Sequence, residues 1–169
     1  MKIKLNDSAL AAAAAEGMDA FIQVVVDAIK AYVGSDELTQ EAMQGLSPDH
    51  ITLWGYVILR DELCDGGFIQ LIHNGYGPFF FLNPFAKAMR LWGLKDFSKF
   101  IYRAREVYDM HHEAIERDMD YDEFMALYEQ YPEFEDLDDE FICQEEKVTG
   151  QVAAYLDDHL LDFVDIVKE

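Results

Sequence analysis

Acidic side chains repeat at helical spacing in the second half of the chain, where their chemistry suits the binding of positive charge. The first row stands at positions i, i+4, i+7 and i+11, which lie along one face of a helix: Asp109, Glu113, Glu116 and Asp120. Like charges at i and i+4 destabilise a helix by about 0.2–0.5 kcal/mol per pair, and no lysine interrupts this row. The uninterrupted row therefore indicates that the negative charge of this surface has a function.

A second row with the same spacing predicts a final helix with an acidic outer face: Asp158, Asp162, Asp165 and Glu169. The residues opposite this row are apolar and would pack inward: Val152, Leu156, Leu160, Phe163 and Val167. Further carboxylates complete the predicted partner-binding acidic surface: Asp118, Glu129, Glu133, Glu135, Asp136, Asp138, Asp139 and Glu140.

The spacing of these carboxylates is comparable to the spacing of charge on duplex DNA. Carboxylates one helical turn apart are separated by roughly 6 Å along the axis, and each strand of a duplex carries one phosphate per about 3.4 Å. Two or three rows on adjacent helices would present negative charge at a similar density. A solvated acidic face without a dedicated partner is the alternative interpretation of the same residues.

A calcium loop is matched only in part by the residues that follow the first row. Asp118, Asp120, Asp122 and Glu129 occupy ligand positions, but the sixth position is Glu123, where the sharp turn of such a loop needs glycine. We therefore expect no dedicated calcium site.

The sequence also gives little support for a metal site at the histidines or for a nucleophilic cysteine. His111 and His112 are adjacent, so their side chains point about 100° apart on a helix and rarely share a metal ion. Cys64 has no basic group placed to stabilise a thiolate, although His73 is near it in sequence. The sequence predicts no enzyme, no cofactor and no metal.

The charge of the chain is concentrated in one part of it. The 169 residues include 13 basic and 34 acidic ones, a formal net charge of −21, and 51% are hydrophobic. Residues 1–105 carry 12 acids and 10 bases, whereas residues 106–169 carry 22 acids and 3 bases. This balance excludes a direct nucleic-acid binder, because like charge repels phosphate, and the apolar content excludes a disordered acidic tail.

Cysteine content and hydropathy indicate the compartment. Cys64 and Cys143 form no disulfide framework and are expected to be buried or partly buried thiols in a reducing cytosol. No apolar run approaches the roughly 20 residues of a membrane span, and the alanine-rich start fits a capped helix better than a signal peptide. We expect a soluble cytoplasmic protein.

Helical periodicity runs through almost the whole chain. The predicted helices cover approximately residues 8–32 (divided at Gly17 and ended by Gly34), 36–44, 48–63, 85–92 and 96–117. Residues 68–73 are predicted as a short helix or an extended piece. A further helix is capped by Asp120 or Asp122 and runs to Pro132, and residues 136–168 form one or two helices, with Gly150 as a possible kink. Hydroxyl or amide caps followed by proline, Ser47-Pro48 and Asn83-Pro84, mark two of the starts. Residues 79–82 are the single candidate strand, and this aromatic run is expected to fill the core or a dimer interface.

The predicted fold is therefore all-α, a single compact multi-helix domain over residues 1–169. Its near-neutral part is residues 1–105, and its strongly acidic helical half is residues 106–169. No linker or low-complexity segment separates the two parts, and the aromatic pattern continues from one to the other.

The centre of the chain carries a short signature. Asp65-Gly66-Gly67-Phe68-Ile69-Gln70, followed by Asn74-Gly75-Tyr76-Gly77, resembles the GGF-x-Q and N-x-x-G motifs of a widespread bacterial domain family. Together with the length, Asn83-Pro84-Phe85 and the acidic end, it resembles that family's branch of nineteen-kilodalton DNA-mimic proteins. The signature itself is interpreted as structural, with Gln70 and Asn74 satisfying backbone groups in a turn.

The resemblance implies a function that the acidic rows can perform. Members of such a branch would occupy the DNA-binding face of a helix-turn-helix repressor and relieve repression, with a histone-like DNA-binding protein as a second partner. They would be able to form a homodimer, in equilibrium with the monomer. The alternative from another class is an immunity or interaction protein that neutralises a different basic protein, such as a nuclease toxin.

Overall fold

The computed structural model describes residues 3–168 and is almost entirely helical, which confirms the predicted all-α class. Within that range the helices are α1 (Asp7–Glu16), α2 (Met18–Val33), α3 (Gln40–Gln44), α4 (Pro48–Asp65), α5 (Gly67–His73), α6 (Phe85–Leu91), α7 (Lys95–Glu116), α8 (Tyr121–Gln130), α9 (Glu133–Asp158) and α10 (Leu160–Phe163). A π-helical turn covers Pro78–Leu82, and two short strands are β1 (Lys4–Asn6) and β2 (Asp165–Val167).

The chain divides into two compact units. Unit 1 combines Met1–Val57 with Lys147–Glu169, and unit 2 is Ile58–Glu146. Helices α4 and α9 each contribute residues to both. Unit 2 holds 21 acids and 8 bases, so most of the negative charge belongs to it, and the change in charge at residue 105 falls inside unit 2.

Unit 1 is built on the apolar face of α2 and the first half of α4. Ile22, Val25 and Ile29 recur at helical spacing and are fully buried. Gly34 ends α2 in the left-handed conformation (φ +69°), and its N–H donates to the Lys30 carbonyl at 2.9 Å. This cap is the one predicted from the sequence.

The start of α4 carries a reciprocal cap. The His50 N–H donates to Ser47 Oγ, and the Ser47 N–H donates to His50 Nδ1, each at 3.2 Å. His50 therefore performs the role that glutamate performs in a capping box. Its Nε2 lies 2.8 Å from the Phe163 carbonyl, so α4 is also tied to α10 within unit 1.

Two predictions about the end of the chain are wrong, because the helices do not reach residue 168 and a strand is present. Helix α9 includes Gly150, and the chain leaves the helix at His159, whose φ and ψ are −123° and 23°. Residues after Val164 are extended because the β-branched side chains of Val164, Ile166 and Val167 suit a strand. Strand β2 pairs in parallel with β1, although no convincing strand was expected.

The second acidic row is consequently not one helical face. Asp158 ends α9, Asp162 lies in α10 and Asp165 pairs with Lys4 across the strands. Glu169 lies outside the described residues. The three described carboxylates belong to unit 1 and cannot form the continuous stripe that the spacing predicted.

Aromatic packing forms the core of unit 2. The fully buried rings include Phe68, Phe97, Phe100, Phe134 and Phe141, and the Phe68 ring centroid lies 5.8 Å from Phe100 and 6.3 Å from Phe134. The candidate strand at residues 79–82 is instead part of the π-helical turn. The Asn83 side chain donates to the Pro78 carbonyl at 3.3 Å and does not cap α6. The prediction that Asn83 caps this helix is therefore wrong.

Candidate functional site

Unit 2 presents a set of exposed carboxylates that we call the acidic face. Its ten members lie on α7, on α8, on the first half of α9 and between α7 and α8: Asp109, Glu113, Glu116, Asp118, Asp120, Glu129, Glu133, Glu135, Asp136 and Asp139. Residues 106–146 contain 17 acids and a single base, Arg117. All ten carboxylates were predicted as site residues, and all are solvent-exposed.

The first half of α9 runs antiparallel beside α7, and two contacts between side chains join the helices. Arg103 Nη1 donates to Glu140 Oε2 at 2.9 Å, and about two turns further along α7 His111 Nε2 lies 3.4 Å from Glu133 Oε1. Glu140, which is half-buried, is engaged by Arg103 and contributes less free charge than predicted. The Arg103–Glu140 ion pair is partly exposed and contributes little stability, but the two contacts fix which faces of the helices meet.

The carboxylates of the acidic face differ in whether they already bond to other side chains or backbone groups of the protein. Glu116 accepts from the Tyr108 hydroxyl and lies near His112 Nδ1, both at 3.1 Å. Asp120 caps α8 by accepting the Glu123 N–H at 2.8 Å. The side chains of six others make no hydrogen bond or ion pair with any residue between 3 and 168: Glu113, Asp118, Glu129, Glu135, Asp136 and Asp139.

Asp138 faces the interior of unit 2, unlike its neighbours in sequence. Its Oδ1 accepts the Phe68 N–H at 2.8 Å, and a Cβ on Gly67 would overlap its Oδ2. Burial raises the pKa of Asp138 to about 7, the Phe68 N–H opposes this rise, and Asp139 and Glu135 add to it. We therefore infer that Asp138 helps to hold α9 in place and is not one of the exposed carboxylates of the acidic face.

The residues Gly66-Gly67-Phe68, which we call the glycine turn, together with α5 contact all three acidic helices. The Gly66 carbonyl accepts the Tyr128 hydroxyl of α8 at 2.8 Å, and the Phe68 N–H reaches α9 through Asp138. At the end of α5, His73 Nδ1 bonds the Ile115 carbonyl of α7 at 2.9 Å. Since a carbonyl only accepts, His73 carries its proton on Nδ1.

Glycine is required in this turn for two reasons. Gly67 has a φ of +75°, which L side chains rarely adopt, and the Asp138 carboxylate occupies the space of a Cβ. Gly66 is crowded by the side chain of Gln70, whose Oε1 occupies the position that a Cβ would take. The signature glycines therefore permit close contact with an acidic helix and with a neighbouring amide.

Gln70 and Asn74 do not satisfy backbone groups, which corrects the prediction made for them. The Gln70 amide donates to Glu62 Oε2 at 3.0 Å and to Asp65 Oδ2 at 2.9 Å, and the Asn74 amide donates to Glu62 Oε2 at 3.0 Å. The two amides instead join α5 to the last turn of α4. The sequence contains the spacing that allows these bonds, since Gln70 and Asn74 are four residues apart and Glu62 and Asp65 are three residues apart.

The cysteines and the possible metal ligands of the described residues form no further candidate site. Cys64 and Cys143 are both exposed, so the expectation that they are buried or partly buried is wrong. Among the described residues, no three or more His, Cys, Asp or Glu side chains are arranged to hold a metal ion. No helix in the described range is both long and apolar enough to cross a membrane.

Comparisons with known proteins place the chain in a family. A family described as DMP19-like protein matches residues 44–159, which include the glycine turn and the acidic face. A relative from Neisseria meningitidis serogroup B (strain ATCC BAA-335 / MC58), named DNA mimic protein DMP19, is 37% identical over 99 residues. The aligned part covers 58% of this chain and 60% of that protein, which is less than two thirds of its length.

Proposed function

This chain belongs to the DMP19-like protein family, and on that premise we propose that it acts as a DNA mimic. Its acidic face would occupy the DNA-binding surface of a basic protein and exclude DNA from it. The relative that shares 37% identity carries the name of a DNA mimic, which supports this assignment. No chemical reaction is part of the proposal.

The observation that carries the proposal is the set of six unengaged carboxylates on adjacent elements of unit 2. Carboxylates on successive turns of one helix are separated by about 5.4 Å, against about 3.4 Å between phosphates of one strand. Further carboxylates on α8 and α9 would raise the density of negative charge on unit 2 toward that of a duplex. Complementary fields then accelerate the encounter with a basic surface and favour its specific orientation.

We propose a helix-turn-helix repressor as the partner, with relief of repression as the consequence. A histone-like DNA-binding protein is a second partner with the same surface chemistry. A homodimer would suit a two-fold repressor, since such proteins bind two half-sites related by symmetry.

A competition assay tests the proposal. A fluorescently labelled operator duplex is bound by a purified helix-turn-helix repressor, and this protein is titrated into the complex at 50 and 300 mM salt. We expect displacement at low salt that weakens strongly at high salt, without binding of this protein to the duplex. Displacement that is unchanged by salt would contradict an electrostatic mimic.

Matched charge-reversal variants locate the interface. The triple variant Glu113→Lys, Glu135→Lys, Asp139→Lys should lose displacement, because it removes unengaged charges of the acidic face. The control Glu16→Lys, Asp36→Lys, Glu37→Lys changes the net charge by the same amount at exposed positions of unit 1. Equal losses in both variants would mean that only net charge matters and that the acidic face is not the site.

A further inference from the structure

Unit 2 contains a basic region as well as the acidic face. Residues 66–105 include six bases and one acid, Asp96, which is a net charge of +5 in a chain of −21. The bases stand on α6 and on the first half of α7: Lys87, Arg90, Lys95, Lys99, Arg103 and Arg105. The positive charge is therefore local and is carried by two consecutive helices.

A pocket of about 280 Å³ lies within this region, between the π-helical turn, α6 and α7. Its lining includes Phe80, Phe81 and Ile101, which are otherwise buried and form an apolar floor. The volume is near the lower end for sites that accept small ligands or side chains. A pocket with this floor suits one apolar side chain.

The rim of the pocket combines cationic and exposed apolar groups. Lys87 and Arg105 both line it. Lys87 makes no ion pair with any residue in the range 3–168, and Arg105 Nε has a distant carboxylate neighbour, Asp109 Oδ2, at 3.8 Å. Leu82 and Tyr102 border the same pocket with 60% and 48% of their surface exposed.

We propose that this basic pocket binds an acidic segment of a partner protein that inserts one apolar side chain. Charge complementarity selects the partner, since Lys87 and Arg105 flank an apolar floor and the exposed Leu82 and Tyr102 extend the contact beyond it. A basic repressor is repelled here, so the partner differs from that of the acidic face. A long nucleic acid is disfavoured because residues 106–146 of the same unit carry a net charge of −16.

The probe is a fluorescein-labelled nine-residue peptide with a phenylalanine and a leucine between aspartates and glutamates. Its binding to the intact protein is followed by fluorescence anisotropy in 50 mM salt. We expect saturable binding, at least tenfold weaker for the variant Lys87→Glu, Arg105→Glu and several-fold weaker for Leu82→Ser. A peptide in which serine replaces both apolar residues should bind at least fivefold more weakly than the probe.

The matched control is Lys95→Glu, Lys99→Glu, which makes the same change in net charge at exposed residues of α7 that do not line the pocket. This control should bind the peptide nearly as tightly as the unmodified protein. No saturable binding, or equal losses in both double variants, would overturn the proposal.

Two further measurements separate this pocket from a self-association surface and from the acidic face. If the pocket variants change the sedimentation coefficient of the protein and not its affinity for the peptide, the pocket joins copies of this chain and the proposal is wrong. Displacement of a repressor from DNA should survive Lys87→Glu, Arg105→Glu, so failure of this inference is distinguishable from failure of the DNA-mimic proposal.

Discussion

The carboxyl group of Asp138 offers the sharpest test of how the acidic face is supported. Its pKa is raised from 3.8 to about 7, mainly because it is buried against the glycine turn. An acid with a raised pKa stabilises the folded state below its unfolded pKa, and this stability is lost as the pH rises through the folded value. At about 1.4 kcal/mol per pH unit, keeping Asp138 ionised in the folded protein above pH 7 costs about 4 kcal/mol.

The substitution Asp138→Asn removes this cost, because asparagine stays neutral and its carbonyl oxygen can still accept the Phe68 N–H. The free energy of unfolding of the variant, relative to the unmodified protein, should therefore rise by about 1.4 kcal/mol per pH unit up to pH 7. Between pH 5.5 and pH 8 the expected total is about 2 kcal/mol, and both values lie above the isoelectric point near 4.3.

Urea unfolding followed by circular dichroism at 222 nm measures this difference at several pH values. The control is Asp136→Asn, an exposed carboxylate on the same helix, for which the difference should stay within about 0.5 kcal/mol across the range. A carbon-13 titration of the Asp138 carboxyl gives an independent value. A difference between Asp138→Asn and the unmodified protein that does not change with pH would refute the reasoning.

Three further predictions concern the same support. Gly67→Ala should lower the free energy of unfolding by about 2–4 kcal/mol, because the backbone strain of a positive φ adds to the overlap with Asp138. Gly75 has a φ of +91° and open space around it, so Gly75→Ala should show only the strain, about 1–2 kcal/mol. Equal urea midpoints for the two variants would contradict the contact with Asp138. Tyr128→Phe should cost about 1 kcal/mol, since it removes the hydrogen bond to the glycine turn, and an unchanged midpoint would show that this bond contributes nothing. Arg103→Ala should cost less than about 1 kcal/mol in thermal unfolding, because its ion pair with α9 is exposed; a larger loss would give that pair a structural role.

Local signals predicted the helices well because their causes are local. Gly34 ends α2 through a backbone hydrogen bond to Lys30, and Asp120 starts α8 through its side chain, which accepts the Glu123 N–H. The strands were missed for the opposite reason. Strand β1 pairs with β2 about 160 residues away, and two segments of three residues carry no periodicity that a sequence pattern can reveal.

The acidic face shows the same limit at the level of single residues. Spacing placed Asp109 and Glu113 on one exposed helical face, as observed. It also grouped Asp138 with Asp139, although one faces the glycine turn and the other faces solvent. Which of two adjacent carboxylates is buried depends on the position of α5, whose Phe68 lies 70 positions before Asp138 in the chain.

The near-neutral signature and the acidic face are physically dependent on each other. The carboxylates of α7, α8 and α9 repel one another, so these helices need contacts elsewhere to stay side by side. The glycine turn and α5 supply them through Tyr128, Asp138 and the Ile115 carbonyl, backed by the aromatic core of unit 2. A mimic of a stiff polyanion benefits from such support, because carboxylates that are already held at fixed spacing lose less conformational entropy when a basic surface binds them.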